Sequence, residues 1–405
     1  MKRLTRLALA SALLAGSTGA WSQDLLTVWR AAAGHDQRLA VARAEHGASQ
    51  TLRDQADALW RPQIGLNVGL GLGAQETAMR GARSSAPGMG QIDEARFATS
   101  VTGGLTTRVA VMAQQPLISA AREAQQAQMR LGADMGDTAW RGAQADLALR
   151  TTERYFALAV AQERVRVVER QLAAVTRSRT EAHDRYQLGA SPVTDTHEAD
   201  AALAGVRAQQ SAARLELSVQ RDRLAGSTGL AQPTARLPAQ PPAPVDDLPA
   251  WLAAAEADHP RLRLLTQAVA VAEQKLRQHS VAGRATLDLV AQAGHDRIAG
   301  SGDFGSARNR SLNGMVGVQL NIPLYSGGMR EAQEREAAER LNQARAELDL
   351  AREEVAQQVR ATWQGLLTGA ARLAALQEGL TASRARADAT RLGREVGDRT
   401  LLDVL

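Results

Sequence analysis

Side chains able to do chemistry are few in this sequence, and their spacing does not suit catalysis. The seven histidines are scattered. His183 and His197 flank one helix reversal, but no cysteine or carboxylate cluster joins them as ligands, so they read as solvent-facing. There is no glycine-rich phosphate loop, no nucleophile elbow and no H-E-x-x-H pair; Gly71 and Gly73 fall at strand positions. With no cysteine in the chain, a disulfide framework, a thiolate metal site and an acylated N-terminal cysteine are excluded. The expectation is a protein that is not an enzyme and has no cofactor or metal. What the charged residues do mark is a repeated turn. Tyr186–Asp195 reads Y-Q-L-G-A-S-P-V-T-D, and Glu395–Asp403 reads E-V-G-D-R-T-L-L-D. With Gly189 set on Gly397, Asp195 falls on Asp403 and Ser191 on Arg399. In each copy a glycine ends one helix, and Ser-Pro or Thr starts the next. A carboxylate in a first turn suits the helix dipole, so Asp195 and Asp403 have a capping role available.

The elements around these turns repeat as well. Gln115-Pro116-Leu117 matches Ile322-Pro323-Leu324, and Trp29-Arg-Ala-Ala-Ala matches Trp251-Leu-Ala-Ala-Ala. The chain is a tandem duplication with a period of roughly 210 residues, far longer than solenoid units. Aromatics make up only 3% of the 405 residues while alanine abounds, which favours close helix packing over a bulky globular core. The net charge of +5 is almost wholly arginine, since Lys2 and Lys275 are the only lysines. Basic runs with interleaved aromatics are missing, so no nucleic-acid partner is expected.

Residues 1–22 read as a signal peptide: Lys2, Arg3 and Arg6, then apolar Leu7 to Ala15, then Ala20-Trp-Ser22. The first repeat takes 23–232, with a helix over 24–60 that Asp24 can cap, strands at about 62–73 and 99–113, and long helices at about 117–187 and 192–225. Residues 74–97 read as a loop between the strands, and Pro116 as the end of the second. A Pro-rich equatorial connector covers 233–249. The second repeat takes 250–405, with a helix to about 281, strands at about 284–295 and 311–323, a loop over about 296–310, and a long helix over about 324–395. The spacing places one helix seam at Leu149, Phe156, Val160 and Val167, and another at Leu341, Leu348, Val355 and Val359. The two long helices of about 70 residues could each reach about 100 Å, and paired half-length helices would match one of them, so the connector and the N-terminus should meet at mid-height.

Each strand has one apolar face and one small or polar face, as in a tilted strand crossing an outer membrane. A soluble half-buried sheet has the same alternation; the long helices around so little core argue for the membrane. Four strands are too few to close a barrel. Two chains would give eight, which side chains fill, whereas three give twelve and leave a lumen. The expected fold is therefore a mixed α and β membrane protein built of duplicated helix–strand–strand–helix units. Four strands per chain contribute to a trimeric 12-stranded β-barrel continuous with a long α-helical tunnel.

The sequence resembles the TolC family of outer-membrane exit ducts in Ile322-Pro-Leu-Tyr-Ser-Gly-Gly-Met329, in Val396-Gly-Asp-Arg-Thr-Leu-Leu-Asp-Val-Leu405, and in Arg185-Tyr-Gln-Leu-Gly189 with Thr194-Asp195. The duplicated plan covers essentially the whole mature chain. The resemblance implies a homotrimer in the outer membrane with its helices in the periplasm. It also implies docking onto a periplasmic adaptor and an inner-membrane ABC or other transporter, for type I protein secretion or small-molecule efflux. By position, Arg399 resembles the family's gate arginine, with Thr194 and Asp195 as its bonding partners, and Asp403 resembles a cation-selective tip aspartate. Leu188, Gly189, Ala190, Val396, Gly397 and Asp398 correspond to the helix-reversal and adaptor-docking tips. Arg394 stands where the family often has tyrosine, which makes the tip more basic. The family's second tip aspartate and last ascending helix would follow Leu405, so the chain reads as C-terminally truncated, with the second long helix lacking its partner. The Pro-Leu-Tyr-Ser-Gly-Gly-Met stretch leans towards the protein-secreting branch, which includes exporters of repeat toxins. The alternative is a soluble periplasmic coiled-coil adaptor; a secreted enzyme is the third reading, with no site to support it.

Overall fold

The computed structural model describes residues 24–88, 90–238, 247–303 and 305–395. Residues 1–22 of the expected signal segment, and Val396, Gly397, Asp398, Arg399 and Asp403 of the second turn, lie outside the described residues. The chain falls into two compact units, one of residues 48–135 and 265–348 that holds every described strand, and one of residues 1–47, 136–264 and 349–405 whose described elements are helices.

Alternation of apolar with small or polar residues produces four antiparallel strands: β1 (Gln63–Ala86), β2 (Gly90–Ile118), β3 (Thr286–Gly302) and β4 (Gly305–Asn321). They form one sheet in the order β1-β2-β3-β4, so the two halves of the sequence join where β2 pairs with β3. The expected loops at 74–97 and 296–310 are instead mostly strand. Gly, Ser, Ala and Arg hide the period there, and bulges at Gly73/Gln75, Met79/Ala82 and Ala82/Ser84 shift it, yet the backbone ladder needs no apolar side chain to continue. Pro116 does not end β2 either; it sits inside the strand beside a register shift at Pro116/Ile118, where a missing N–H is tolerated.

Each helix that enters a strand pair is two helices. The first is α1 (Leu25–His35) and α2 (Gln37–Ala58), broken at Asp36, whose carboxylate accepts the Leu39 N–H at 2.9 Å and so caps α2. Asp24 precedes α1 without a side-chain capping bond. The second is α5 (Leu248–Asp258) and α6 (Pro260–Ser280), broken at His259, with proline at the first helical position. Leu39 and Leu262, each three residues past its break, are both buried.

The long helices are α3 (Ala120–Gln187, 68 residues), α4 (Val193–Thr228, 36 residues) and α7 (Met329–Glu395, 67 residues). Within the helical unit the buried stripe of α3 runs through Leu147, Leu158, Val168 and Val175. The expected seam is not the intramolecular one: Leu149, Val160 and Val167 are more than half exposed, and Phe156 is half-buried. α3 carries apolar residues on more than one face at coiled-coil spacing, and spacing alone does not say which face meets α4. On α7, Leu341, Leu348 and Val355 are buried and Val359 is half-buried. Every residue from 364 to 389 is exposed, including Leu366, Leu373, Leu376 and Leu380.

α3 and α4 pack through Val168, Val175, Leu203, Val206 and Ala213. A second cluster, Val28, Tyr155, Leu158 and Leu224, ties in α1. The segment after α4 folds back on α3: the Arg236 N–H donates to the Tyr155 hydroxyl at 3.1 Å and the Ala235 N–H to Gln162 Oε1 at 3.3 Å. Asp24 and Leu25 line one cleft with Tyr155, Phe156 and Arg236–Pro238, so the N-terminal end of α1 and the start of the connector meet beside α3.

Candidate functional site

The turn between α3 and α4 is built by Gly189, which holds φ at +70°, where a side chain is strained and glycine is not. The Ala190 N–H returns to Arg185 O at 2.8 Å and the Gly189 N–H to Tyr186 O at 2.9 Å, the paired bonds of a Schellman ending. Pro192 then precedes α4 in an extended conformation without a side-chain cap. Asp195 lies in the first turn of α4, half-buried, and Thr194 beside it is exposed. Among the described residues neither side chain has an ion pair or hydrogen bond, so the turn presents a carboxylate and a hydroxyl without consuming them. Leu188 is 84% exposed, an apolar side chain held out at the tip.

Two ion pairs cross the hairpin behind this turn. Arg179 Nε donates to Asp200 Oδ1 at 2.8 Å, and Arg214 Nη2 to Glu169 Oε1 at 3.2 Å. The hydrogen bond from Arg179 lowers the Asp200 carboxyl below its usual range against the opposing effect of desolvation, with the charges of Arg179, His197 and His183 adding to the lowering. His183 Nε2 accepts from Gln187 Nε2 at 3.0 Å. Among the described residues no group of three or more His, Asp or Glu is placed to hold a metal ion.

The sheet is the second functional surface, and its two faces differ in kind. On one face Ile64, Leu66, Val68, Leu70 and Leu72 of β1 and Leu312, Val316, Val318 and Leu320 of β4 are 60–90% exposed. The other carries Asn67, Thr106, Arg108, Gln292, Asp296 and Asn313 in facing register. Here Arg108 Nε donates to Asp296 Oδ1 at 2.7 Å, and Asn313 Nδ2 to Asp296 Oδ2 at 3.3 Å. This polar triad was not found from the sequence, because Asp296 fell in a supposed loop. Its signal was there: Asp288, Gln292, Gly294 and Asp296 keep the period of two.

A four-stranded sheet with one strongly exposed apolar face, in a chain that also holds helices of nearly seventy residues, has the pattern of a sheet whose apolar face meets lipid. Among the described residues no helix is long and apolar enough to cross a membrane. The chain belongs to the outer membrane efflux protein family, whose profile matches residues 28–230 and 251–405. It is 26% identical to outer membrane protein TolC of Vibrio cholerae over 100% of this chain and 88% of that one. The alkaline protease secretion protein AprF of Pseudomonas aeruginosa is 26% identical over 100% of this chain and 82% of its own length. Outer membrane efflux protein BepC of Brucella suis is 32% identical over 58% of this chain, a stretch that spans 51%, about half, of that relative. Among solved structures, the outer-membrane channel OprN superposes with a TM-score of 0.74 at 18% identity, over 94% of this chain and 82% of that one. The protein is thus an outer-membrane channel of the TolC type, and the reading as a soluble adaptor is set aside.

Proposed function

We propose that the chain is the protomer of a homotrimeric exit duct that docks with a periplasmic adaptor and an inner-membrane transporter and carries protein cargo in type I secretion. The observation that carries this reading is the exposed apolar face of the sheet together with outer edges on β1 and β4 that pair with no other strand among the described residues. Lipid solvates such a face, and closure with further copies is what removes such edges. Three copies give twelve strands, a count that leaves a lumen lined by the polar face with Arg108, Asp296 and Asn313. The helices then continue into the periplasm. The name of AprF, a protease secretion protein aligned along the whole chain, supports protein cargo; the name of BepC, an outer membrane efflux protein, supports efflux as the second reading.

The periplasmic tip is the gate. Asp195 and Thr194 on α4 are the acceptors for Arg399, since Arg–carboxylate bonds lock a constriction yet yield to a partner. Asp403 sets cation preference through its three-fold ring. Leu188, Gly189 and Ala190 at one turn, with Val396, Gly397 and Asp398 at the other, dock the adaptor. Single-channel conductance in a planar bilayer tests both parts, with the double variant Asp195→Ala/Arg399→Ser beside the wild type. A small, cation-preferring conductance that rises sharply in the variant is expected. A large conductance indifferent to the substitutions overturns the gate, and none from trimeric protein overturns the duct.

A further inference from the structure

The exposed face of the sheet is not apolar along its whole length. Its register gives successive rows across the four strands. Val68, Val109, His295 and Leu312 make one row; Leu70, Thr107, Arg297 and Arg310 the next; Leu72, Leu105, Ala299 and Arg308 the one after. Towards the β1–β2 and β3–β4 turns, the apolar band therefore gives way on β3 and β4 to Arg297, Arg308 and Arg310. All three are exposed, and none has an ion pair or side-chain hydrogen bond among the described residues. The nearby acids are turned elsewhere or engaged. Asp288 and Asp296 lie on the polar face by register, with Asp296 held by Arg108, and Asp303 accepts from the Ser100 hydroxyl at 3.1 Å.

Arg297 and Arg310 are direct cross-strand partners. Two like charges so placed oppose each other unless an anion lies between them. Arg308, two residues along β4, adds a third guanidinium about 7 Å away. Guanidinium is the side chain that takes phosphate bidentately. The apolar side chains of Leu312, Leu70 and Leu72 lie in the same and adjoining rows, where acyl chains would run. A free anion needs only the arginines; a lipid uses both parts.

We propose that Arg297, Arg308 and Arg310 bind the phosphorylated headgroup of a lipid in the outer-membrane leaflet on the hairpin side, with its acyl chains on the adjacent apolar band. The site rests on the proposed membrane placement of the sheet and goes beyond the transport function. It gives these charges a counter-ion at a depth where lipid-facing arginine is tolerated, close to the interface.

The test uses the purified full chain in phosphatidylcholine nanodiscs with and without lipid A, a bisphosphorylated glycolipid, and measures retained lipid by native mass spectrometry. Wild type should retain lipid A selectively, and Arg297→Gln/Arg308→Gln/Arg310→Gln should lower that selectivity by about tenfold or more. The same three positions as lysine should keep most of it, and Arg372→Gln/Arg384→Gln on α7 should keep all of it. Equal retention by the glutamine variant overturns the site, as does equal loss in the α7 control. Displacement of the lipid by millimolar inorganic phosphate alone would make this a free-anion site and overturn the lipid assignment. Should the triple variant not assemble, single Arg297→Gln and Arg310→Gln proteins must each show a graded loss, and no loss overturns the proposal. Conductance of the same samples separates the two readings: a conducting channel without lipid selectivity overturns the site and leaves the duct intact.

Discussion

Two neighbouring residues of β4 give the sharpest test of the membrane placement. Val316 sits midway along the apolar face, 77% exposed, and Gly317 points to the polar face with open space around the place a Cβ would take. Nine apolar side chains of β1 and β4 on that face, Ile64 to Leu72 and Leu312 to Leu320, are on average about three-quarters exposed. Fully burying one such side chain stabilises by about 1.5–3 kcal/mol, so leaving this set in water forgoes about 10–20 kcal/mol. That equals or exceeds the whole stability of an ordinary domain, about 5–15 kcal/mol. Water is therefore not the solvent of this face. In lipid, Val316→Arg should cost about 2–4 kcal/mol, the value for a charge on the lipid face near the midplane. Gly317→Arg, one residue on, should cost less than about 1 kcal/mol, because its side chain enters the aqueous lumen. Denaturant titration of protein folded into phospholipid vesicles measures both. Equal costs, or a larger cost at Gly317, would refute the assignment of faces and with it the barrel.

The absence of native cysteine permits a second reading of the same faces: a charged thiol reagent should label Gly317→Cys about tenfold or more faster than Val316→Cys in vesicles. Leu158 is fully buried between α1, α3 and α4, so Leu158→Ala should destabilise the helical unit by about 2–5 kcal/mol, seen as a lower denaturation midpoint. At the tip, Gly189→Val should loosen the α3–α4 turn by about 1–2 kcal/mol, because φ is +70° there, whereas Gly189→Asn should be better tolerated; hydrogen exchange at 185–195 reports it. Asp200 has a lowered pKa, so the stability it lends is complete above the ordinary carboxylate value and is lost as pH falls through the lower folded value. Protection of amides around 179 and 200, corrected for intrinsic rates, should hold from pH 7 to about 5 and fall below about pH 4 in wild type, and Asp200→Asn should flatten that profile.

The duplication, the strands and the long helices were legible because each rests on a strong period: two in Ile64 to Leu72, and close to three and a half in α3 and α7. The strand ends were not. Beyond Gly73 and Asp296 the residues are mostly small, polar or charged, with only scattered apolar ones such as Met79, Ile92 and Ile298, and what continues the sheet is backbone pairing, which leaves little hydrophobic trace. The helix breaks at Asp36 and His259 hid inside good helical pattern, although Pro260 marks one and the Asp36–Leu39 cap the other. The α3 seam read from the sequence lies one or two residues from the buried stripe, because Leu149, Val160 and Val167 keep a similar spacing to Leu147, Leu158 and Val168. At the α3–α4 turn, the chemistry of Gly189 and the position of Asp195 were legible from local signals; Arg399, the proposed partner, lies outside the described residues, so that pairing rests on the family resemblance.

The packing along α3 and α4 also bears on where such a duct can open. Near the α1 junction the contact is made by Val28, Tyr155, Leu158 and Leu224, with a hydrogen bond to the connector. Farther along it is Val168, Val175, Leu203, Val206 and Ala213. Closest to the turn it has shrunk to Ala182 against Ala199, with the exposed Arg179–Asp200 pair beside them. The cluster nearest Gly189 is thus the smallest of the three, and the exposed ion pair beside it adds little. Local unfolding and rearrangement are drawn from the end with the fewest buried contacts. The tip is thus the part of the hairpin that a docking partner could move at least cost, while the clusters behind it hold the rest of the helix pair in place. The gate proposed at Asp195 and Thr194 needs no hinge in the middle of α3, whose 68 residues run as one unbroken helix.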